Sequence, residues 1–293
     1  MKSLNNKHKI LKVDEMKNLK KVLILASLFL FACSAPQKTE ELVKPQVNYF
    51  ENTNGCFLLY NMKTSTLEKV IGDERCKERL PACSTFKVPL AVMAFDGKVL
   101  RDENQVYKWD GKKDSREEVN RDHNAKTWMR DSVVWFSQRI TPKLGSKKLQ
   151  SYLQKFNYGN QDMKAGLTKA WLISPAELNS GLRISAYEQL DFMKNLWTSK
   201  LPVSERSMQL AREITYLETS PKGFKLSGKT GSNFYDKEHK QHLGWFISHI
   251  QKDDQEYITV ANLGDIAPTE VKGYGGARVK EITKKILADQ GLW

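Results

Sequence analysis

A serine and a lysine lie one helical turn apart in the segment PACSTFKVP, residues 81–89. On a helix, positions i and i+3 share a face, so Ser84 Oγ and Lys87 Nζ can meet. A serine hydroxyl becomes nucleophilic when a base accepts its proton, and lysine acts as that base when burial lowers its pKa. The apolar residues after Lys87 favour burial, and the two prolines suit a helix start. The same spacing also fits a helix N-cap followed by a surface lysine.

Two further segments carry hydroxyl and cationic groups. Ser132, within the letters DSVVW, is predicted on a short apolar helix, where its hydroxyl can relay a proton or cap the helix. Lys229, within LSGKTGS, is predicted on a strand, and Gly231 would let a ligand approach the backbone. Arg278 follows a glycine-rich loop before the last helix. It is either a carboxylate-binding guanidinium or an exposed arginine at a helix start.

The chain has 293 residues and a formal net charge of +13, which suits one domain or two tightly joined subdomains with a basic surface. Its lysines and arginines are dispersed and no nucleic-acid motif is present, so a nucleic-acid partner is not expected. The histidines lack metal-ligand spacing and no Gly-x-Ser-x-Gly elbow occurs, so we expect no metal and a lysine base. Nothing in the sequence indicates an oligomeric state.

Residues 1–33 have the pattern of a signal peptide, with lysines followed by an apolar stretch too short for a comfortable membrane span. Met16 is an alternative start. The letters LFAC, ending at Cys33, resemble a bacterial lipobox and predict lipidation of Cys33, whereas ordinary cleavage near Ala35 would leave no anchor. Either route predicts export to the periplasm. Residues 34–47 are predicted to form a flexible tether.

Export permits a disulfide among the three remaining cysteines. We prefer Cys56 paired with Cys76, because that bond would close a hairpin-sized loop. Cys83 is then expected to be a buried, unreactive thiol.

The apolar pattern of residues 48–293 predicts an α+β fold that carries an all-α lobe. Residues 48–97 and 201–293 would form the α/β part and 98–200 the helical lobe, with a site in the cleft between them. The predicted elements are a hairpin at 55–60 and 67–71, helices from Ser84 to about 97 and at 131–139, 146–156, 186–198, 205–217 and 279–290, and strands at 225–230, 242–250 and 257–263.

Four motifs follow one another along the chain: Ser84-Thr85-Phe86-Lys87, Ser132-Val133-Val134, Tyr158-Gly159-Asn160 and Lys229-Thr230-Gly231. In this order and at these intervals they resemble a class D (oxacillinase-type) serine β-lactamase. The similarity runs from about Gly55 to the C-terminus. It implies the fold shared by serine β-lactamases and penicillin-binding proteins, an antiparallel sheet flanked by helices with an all-α lobe.

The resemblance also implies roles for single residues. Ser84 would attack a β-lactam and form an acyl-enzyme, and Lys87, N-carboxylated by carbon dioxide or bicarbonate, would be the general base for acylation and deacylation. No other cofactor is implied. Ser132 would relay a proton to the leaving nitrogen, and Lys229 would assist electrostatically. The indole N–H of Trp171 would hold the carbamate, which suits a donor-only group.

The remaining positions are implied to line the carbamate or bind the substrate. Val134 and Leu172 match the apolar pair beside the carbamate. The N–H groups of Ser84 and Ser232 would form the oxyanion hole, while Thr230 and Arg278 would hold the substrate carboxylate. The positions implied to bind substrate are Val134, Trp171, Leu172, Thr230, Gly231, Ser232 and Arg278.

One segment departs from the family pattern. Residues 173–179, after Leu172, form a longer loop than is usual, which bears on carbamate stability and deacylation. Two other functions use the same Ser-x-x-Lys chemistry: a β-lactam sensor domain (BlaR type), which stays acylated, and a penicillin-binding transpeptidase or carboxypeptidase. The sensor would need several transmembrane helices and an effector domain, so hydrolysis is the favoured interpretation.

Overall fold

A six-stranded antiparallel sheet runs through the computed structural model, which describes residues 47–271 and 273–293. The predicted signal peptide, Cys33 and residues 34–46 of the predicted tether lie outside the described residues. Residues 48–293 form one compact unit. Within the described ranges, no helix combines the length and apolar character that a membrane span requires.

The strands fall into a large and a small sheet. In chain order they are β1 (Thr53–Asn61), β2 (Thr66–Ile71), β3 (Leu80–Pro81), β4 (Arg183–Ile184), β5 (Tyr216–Thr219), β6 (Lys225–Phe234), β7 (His242–Lys252) and β8 (Gln255–Asp265). The large sheet has the spatial order β2-β1-β8-β7-β6-β5, and β3 pairs with β4 separately.

Eight α-helices surround the sheet in the described part of the chain. They are α1 (Asp73–Lys77), α2 (Lys87–Asp96), α3 (Ala125–Arg130), α4 (Val134–Leu144), α5 (Ser146–Lys155), α6 (Ala186–Trp197), α7 (Glu205–Glu213) and α8 (Gly275–Asp289). The fold is therefore the predicted one, an antiparallel sheet flanked by helices.

Side-chain alternation along the strands creates two apolar cores, one on each face of the sheet. Phe57 and Leu59 of β1 point to one face and pack in a core with Val279 of α8. Leu58, between them, belongs to the other core together with Trp245 of β7. Helix α2, which begins at Lys87, is buried in this second core. Lys87 thus lies on a helix that is packed in this core.

The predicted hairpin and disulfide are confirmed. Strands β1 and β2 pair antiparallel, and Cys56 is bonded to Cys76 with 5.1 Å between their Cα atoms. Cys83 is a buried free thiol, and burial raises its pKa to about 12.

The predicted helix over residues 131–139 starts too early, and the placement of Ser132 on a helix is wrong. Ser132 lies in the turn between α3 and α4 with φ of 54°. A residue in this left-handed region ends a helix. Trp128 of α3 stacks on Phe136 of α4, with ring centroids 5.1 Å apart, so the chain reverses at Ser132.

The predicted helix over residues 205–217 ends at Glu213, and the following residues form an edge strand instead. Tyr216 of β5 pairs with Ser227 of β6. Strand β5 thereby pairs with the backbone edge of β6 that faces away from β7. Tertiary pairing overrides the weak local helix preference here.

The last helix begins four residues before the predicted start at Val279. A Cβ atom on Gly275 would lie 2.7 Å from the carbonyl oxygen of Leu243, and one on Gly276 would lie 2.5 Å from that of Gly231. The glycines therefore permit close packing of α8 on the sheet rather than a flexible loop. Arg278 consequently lies in the first turn of α8.

Candidate active site

A cavity of about 380 Å³ lies where strand β6, the turn before α2 and the turn between α3 and α4 meet. Six of its lining residues were predicted from the sequence, namely Ser84, Ser132, Val134, Leu172, Thr230 and Ser232. Sequence reasoning missed the other six, namely Asp114, Arg116, Asn233, Phe234, Tyr274 and Ala277. Residues far apart in the chain therefore converge on one pocket.

The predicted nucleophile and base are in contact. Ser84 lies in the 3₁₀ turn Cys83–Phe86, which leads directly into α2, and Lys87 is the first residue of that helix. Lys87 Nζ donates a hydrogen bond of 3.0 Å to Ser84 Oγ. Ser84 is half-buried and faces the cavity, whereas Lys87 is fully buried behind it.

The environment of Lys87 favours its neutral form. Burial is the main cause that holds its pKa well below the ordinary 10.5, and the positive charges of Lys229 and Arg116 lower the pKa further. A neutral amine has a lone pair, so it can accept a proton or react with carbon dioxide.

The indole of Trp171 carries a hydrogen-bond donor with no acceptor. Trp171 is fully buried in the 3₁₀ turn Ala170–Leu172, and its ring packs on that of Phe86 at 5.3 Å. Its Nε1–H has no hydrogen-bond partner among the described residues. A buried orphan donor costs about 1–3 kcal/mol, so the site favours an acceptor there. A neutral Lys87 and a donor-only indole fit a carboxyl group on Lys87.

Ser132 lines the cavity from a turn that is held by hydrogen bonds to the preceding residue, Asp131. The carbonyl of Asp131 accepts a hydrogen bond of 3.2 Å from Arg116 Nη1. The carboxylate of Asp131 accepts hydrogen bonds from Arg121 and Arg130. The hydroxyl is therefore held at the pocket wall by a turn rather than by a helix.

Strand β6 supplies the opposite wall. Lys229 is 4% exposed, and burial, followed by the charge of Arg116, lowers its pKa to about 7. Its Nζ donates to the carbonyl of Thr230 at 2.9 Å. Ser232 Oγ accepts a hydrogen bond of 2.9 Å from the backbone N–H of Gly276 in α8. Lys229, Thr230 and Ser232 are thus presented by a strand that is paired on both sides, with β7 and with the edge strand β5.

Gly231 lies where strand β6 packs closely against the nucleophile turn. A Cβ atom there would lie 3.1 Å from Cys83 Cβ and 3.2 Å from Thr85 Cγ2. The missing side chain lets the nucleophile turn pack directly against β6. The approach of a ligand to the backbone of Gly231 stays a prediction.

The structure does not bring Arg278 into the lining of the cavity. Its Nη1 donates to both carboxylate oxygens of Asp265, at 2.8 and 3.0 Å. Asp265 also accepts from the backbone N–H and Nδ1 of His242. One nitrogen of the guanidinium is thus engaged by a buried carboxylate.

The long segment after Leu172 is tied to β6. Asn233 Nδ2 donates to the carbonyls of Leu172 and Ile173, at 3.1 and 2.9 Å. Ser174 Oγ donates to the carbonyl of Phe234 at 3.1 Å. These bonds keep Trp171 and Leu172 beside the cavity despite the added length. No local sequence pattern identified Asn233 as their partner, since the contact joins distant segments.

In the ranges that the structure describes, no three His, Cys, Asp or Glu side chains are placed together as metal ligands. The two buried lysines with lowered pKa values, Lys87 and Lys229, are the unusual electrostatic feature. Buried ionisable groups with strongly shifted pKa values often mark functional sites.

Comparison with known proteins agrees with this geometry. Residues 51–288 match the family model described as "Penicillin binding protein transpeptidase domain". The chain is 36% identical to Beta-lactamase OXA-1 of Escherichia coli, over 85% of this chain and 91% of that protein. It is 32% identical to Probable beta-lactamase YbxI of Bacillus subtilis, over 89% and 90%.

Solved structures show the same relationship. Class D beta-lactamase BAT-2 superposes with a TM-score of 0.73 at 31% identity, covering 85% of this chain and 97% of that one. A class D β-lactamase from Bacillus subtilis gives a TM-score of 0.73 at 31% identity, covering 84% and 97%. With the fold, the Ser84–Lys87 contact and these likenesses together, the chain belongs to the class D serine β-lactamase family.

Proposed function

We propose that the protein hydrolyses β-lactam antibiotics through an acyl-enzyme on Ser84. The observation that carries this proposal is the 3.0 Å hydrogen bond between the half-buried Ser84 hydroxyl and the fully buried amine of Lys87. The surroundings of the amine lower its pKa and so favour its neutral form. It lies beside a cavity large enough for a small bicyclic molecule.

A carboxyl group added to Lys87 by carbon dioxide supplies the general base for acylation and deacylation. The orphan indole N–H of Trp171 supports this part of the proposal, since it offers a donor to that group. Val134 and Leu172 form the apolar wall around it. Apolar walls limit water to the molecule needed for hydrolysis.

The chain's own residues then perform the two half-reactions. Ser84 Oγ bonds to the lactam carbonyl carbon, the ring C–N bond breaks, and Ser132 passes a proton to the departing nitrogen. The N–H groups of Ser84 and Ser232 stabilise the oxyanion. Water next attacks the ester, and the ring-opened acid leaves as Ser84 regains its proton. Lys229 stabilises negative charge on the substrate.

Hydrolysis of a chromogenic cephalosporin by the purified protein tests this function. We expect continuous turnover, loss of all activity in Ser84→Ala, and a mass increase on Ser84 at early times. The match to a transpeptidase-domain model favours one rival, a penicillin-binding enzyme that acylates and then stalls. A single stoichiometric burst without turnover would contradict hydrolysis and support that rival.

We also propose export to the periplasm with a lipid anchor at Cys33. The support is the signal-like sequence that ends in a lipobox-like LFAC. Cys33→Ser should move the protein from the membrane to the soluble fraction. Unchanged partitioning in that variant would contradict the anchor.

A further inference from the structure

Arg116 is the one positively charged side chain among the described residues that line the cavity. Its side chain is 24% exposed, whereas Lys87 and Lys229 are buried behind the wall. It lies in a polar loop and belongs to none of the four sequence motifs. A cation at the mouth of a pocket attracts and orients anionic ligands.

The Arg116 guanidinium makes one hydrogen bond and two long ion pairs. Its Nη1 donates to the carbonyl of Asp131 at 3.2 Å, which places it beside the Ser132 turn. The nearest carboxylate oxygens, of Asp114 and Glu118, are 3.8 and 3.9 Å away, beyond hydrogen-bond distance. A guanidinium has five N–H donors in a planar fork, so several remain for a ligand.

Asp114 is the anionic side chain that lines the same cavity. Its Oδ1 accepts the backbone N–H of Arg116 at 2.9 Å, so this carboxylate is used to shape the loop. Arg278, in contrast, is paired with Asp265 and does not line the pocket. Among the described residues that line the cavity, Arg116 is therefore the cation that a carboxylate can meet.

We propose that Arg116 binds the carboxylate carried by the fused-ring nucleus of penicillins and cephalosporins, a claim that rests on the proposed function. Arg116 and Thr230 both line the cavity, so the carboxylate can bridge the guanidinium and the Thr230 hydroxyl. Bidentate Arg–carboxylate pairs add orientation as well as affinity. Arg116 is thus a specificity residue that selects anionic β-lactams over neutral ones.

The test compares benzylpenicillin with its methyl ester, which lacks the negative charge. The second-order rate constant for acylation of Ser84 is measured by intact-protein mass spectrometry. Arg116→Met should lower this rate constant for the free acid by about 10- to 100-fold and change that for the ester little. Arg116→Lys, which keeps the charge but loses the fork, should fall in between.

Lys113→Met is the matched control. Lys113 is exposed in the same loop and does not line the cavity, so its loss changes net charge alone. We expect both rate constants to stay near the wild-type values. An equal loss for Arg116→Met on acid and ester, or no loss on either, would overturn the proposal.

A loss confined to carbenicillin, which has a second carboxylate on its side chain, would also overturn it. In that outcome Arg116 would recognise the side chain rather than the ring carboxylate. If wild-type protein shows no acylation by any of these compounds, the proposed function itself fails together with this inference. Normal wild-type acylation with an insensitive Arg116→Met variant contradicts the inference alone.

Discussion

The burial that makes the Lys87 amine a candidate base also lowers the stability of the folded protein. The pKa of the amine is depressed in the folded protein, so at pH values between that lowered pKa and 10.5 the unfolded chain binds more protons. The free energy of unfolding therefore rises with pH across this window. Lys229, whose pKa is about 7, adds the same trend between about 7 and 10.5. Near neutral pH, both buried lysines lower stability.

Replacing Lys87 with methionine removes both the destabilising buried amine and the proposed general base. We expect Lys87→Met to abolish turnover and to raise the melting temperature by several degrees, measured near neutral pH in buffer depleted of carbon dioxide. The gain in melting temperature should shrink at alkaline pH, because there the lysine is deprotonated in the unfolded chain as well. The exposed Lys112 gives the control, and Lys112→Met should change neither property. A melting temperature below the wild-type value would contradict a neutral, desolvated amine.

A second prediction for a single residue concerns the indole N–H of Trp171. Trp171→Phe keeps a ring against Phe86 but removes the orphan N–H, so the bicarbonate concentration that half-restores activity should rise about tenfold or more. Activity is measured across a bicarbonate series.

Trp128→Phe is the matched control for that experiment. Trp128 is equally buried, but its indole donates to Ser137 at 3.0 Å. This substitution should lower thermal stability and leave the bicarbonate dependence unchanged. Equal bicarbonate dependence in both variants would contradict the role of Trp171.

At the scale of elements, the loop after Leu172 is organised around a buried arginine. Arg183 is 7% exposed, and its guanidinium donates to the carbonyls of Pro175 and Glu177 in the loop and, through Nε, to that of Ser180. Because the loop follows Leu172 directly, the Arg183 contacts help to fix the position of Trp171 and Leu172.

Arg183→Lys should loosen this loop. A lysine retains the charge but cannot serve several carbonyls in one plane. We expect a lower kcat and a higher bicarbonate requirement, with the rate of Ser84 acylation less affected. Arg206→Lys, at an exposed arginine elsewhere, should have no such effect. A uniform loss of activity that added bicarbonate does not rescue would indicate general destabilisation instead.

Elements with strong local signals were predictable, and those that depend on partners were not. The β1–β2 hairpin, the Ser84 entry into α2 and the capped helix α6 follow from alternation, prolines and the Ser185–Glu188 capping box. Strand β5 exists because β6 has an open edge, and α8 begins at Gly275 because the glycines pack on β7. Such tertiary contacts leave no local trace in the sequence.

The same reason separates the predicted site residues from the missed ones. The Ser84, Lys87 and Lys229 positions are marked by residue type and spacing within short motifs. Arg116 and Asn233 enter the site through contacts with distant turns, namely the carbonyls of Asp131 and Leu172 among others.

At the scale of the whole molecule, the disulfide joins β1 to α1 at the edge of the second core. It closes a loop of sequence separation 20, for which a stabilisation of about 2–4 kcal/mol is typical. The double substitution Cys56→Ala/Cys76→Ala should lower the free energy of unfolding by about this amount and leave kcat nearly unchanged, because neither cysteine lines the cavity. Denaturant titration measures the loss.

Reductant provides the control for the disulfide. It should destabilise the wild-type protein to a similar extent and have no effect on the double variant. Wild-type stability that is insensitive to full reduction would contradict a stabilising role for this bond.

The pairing of a neutral, buried Lys87 with Ser84 is tested most directly by the dependence of steady-state hydrolysis on bicarbonate. The initial rate with a chromogenic cephalosporin is measured after removal of dissolved carbon dioxide and again after bicarbonate is added back. We predict that the rate falls when carbon dioxide is removed and returns to its full value with bicarbonate. The acid limb of the pH–rate profile should also move to lower pH as bicarbonate rises. Full turnover without carbon dioxide, unchanged by bicarbonate, would contradict the carboxylated lysine.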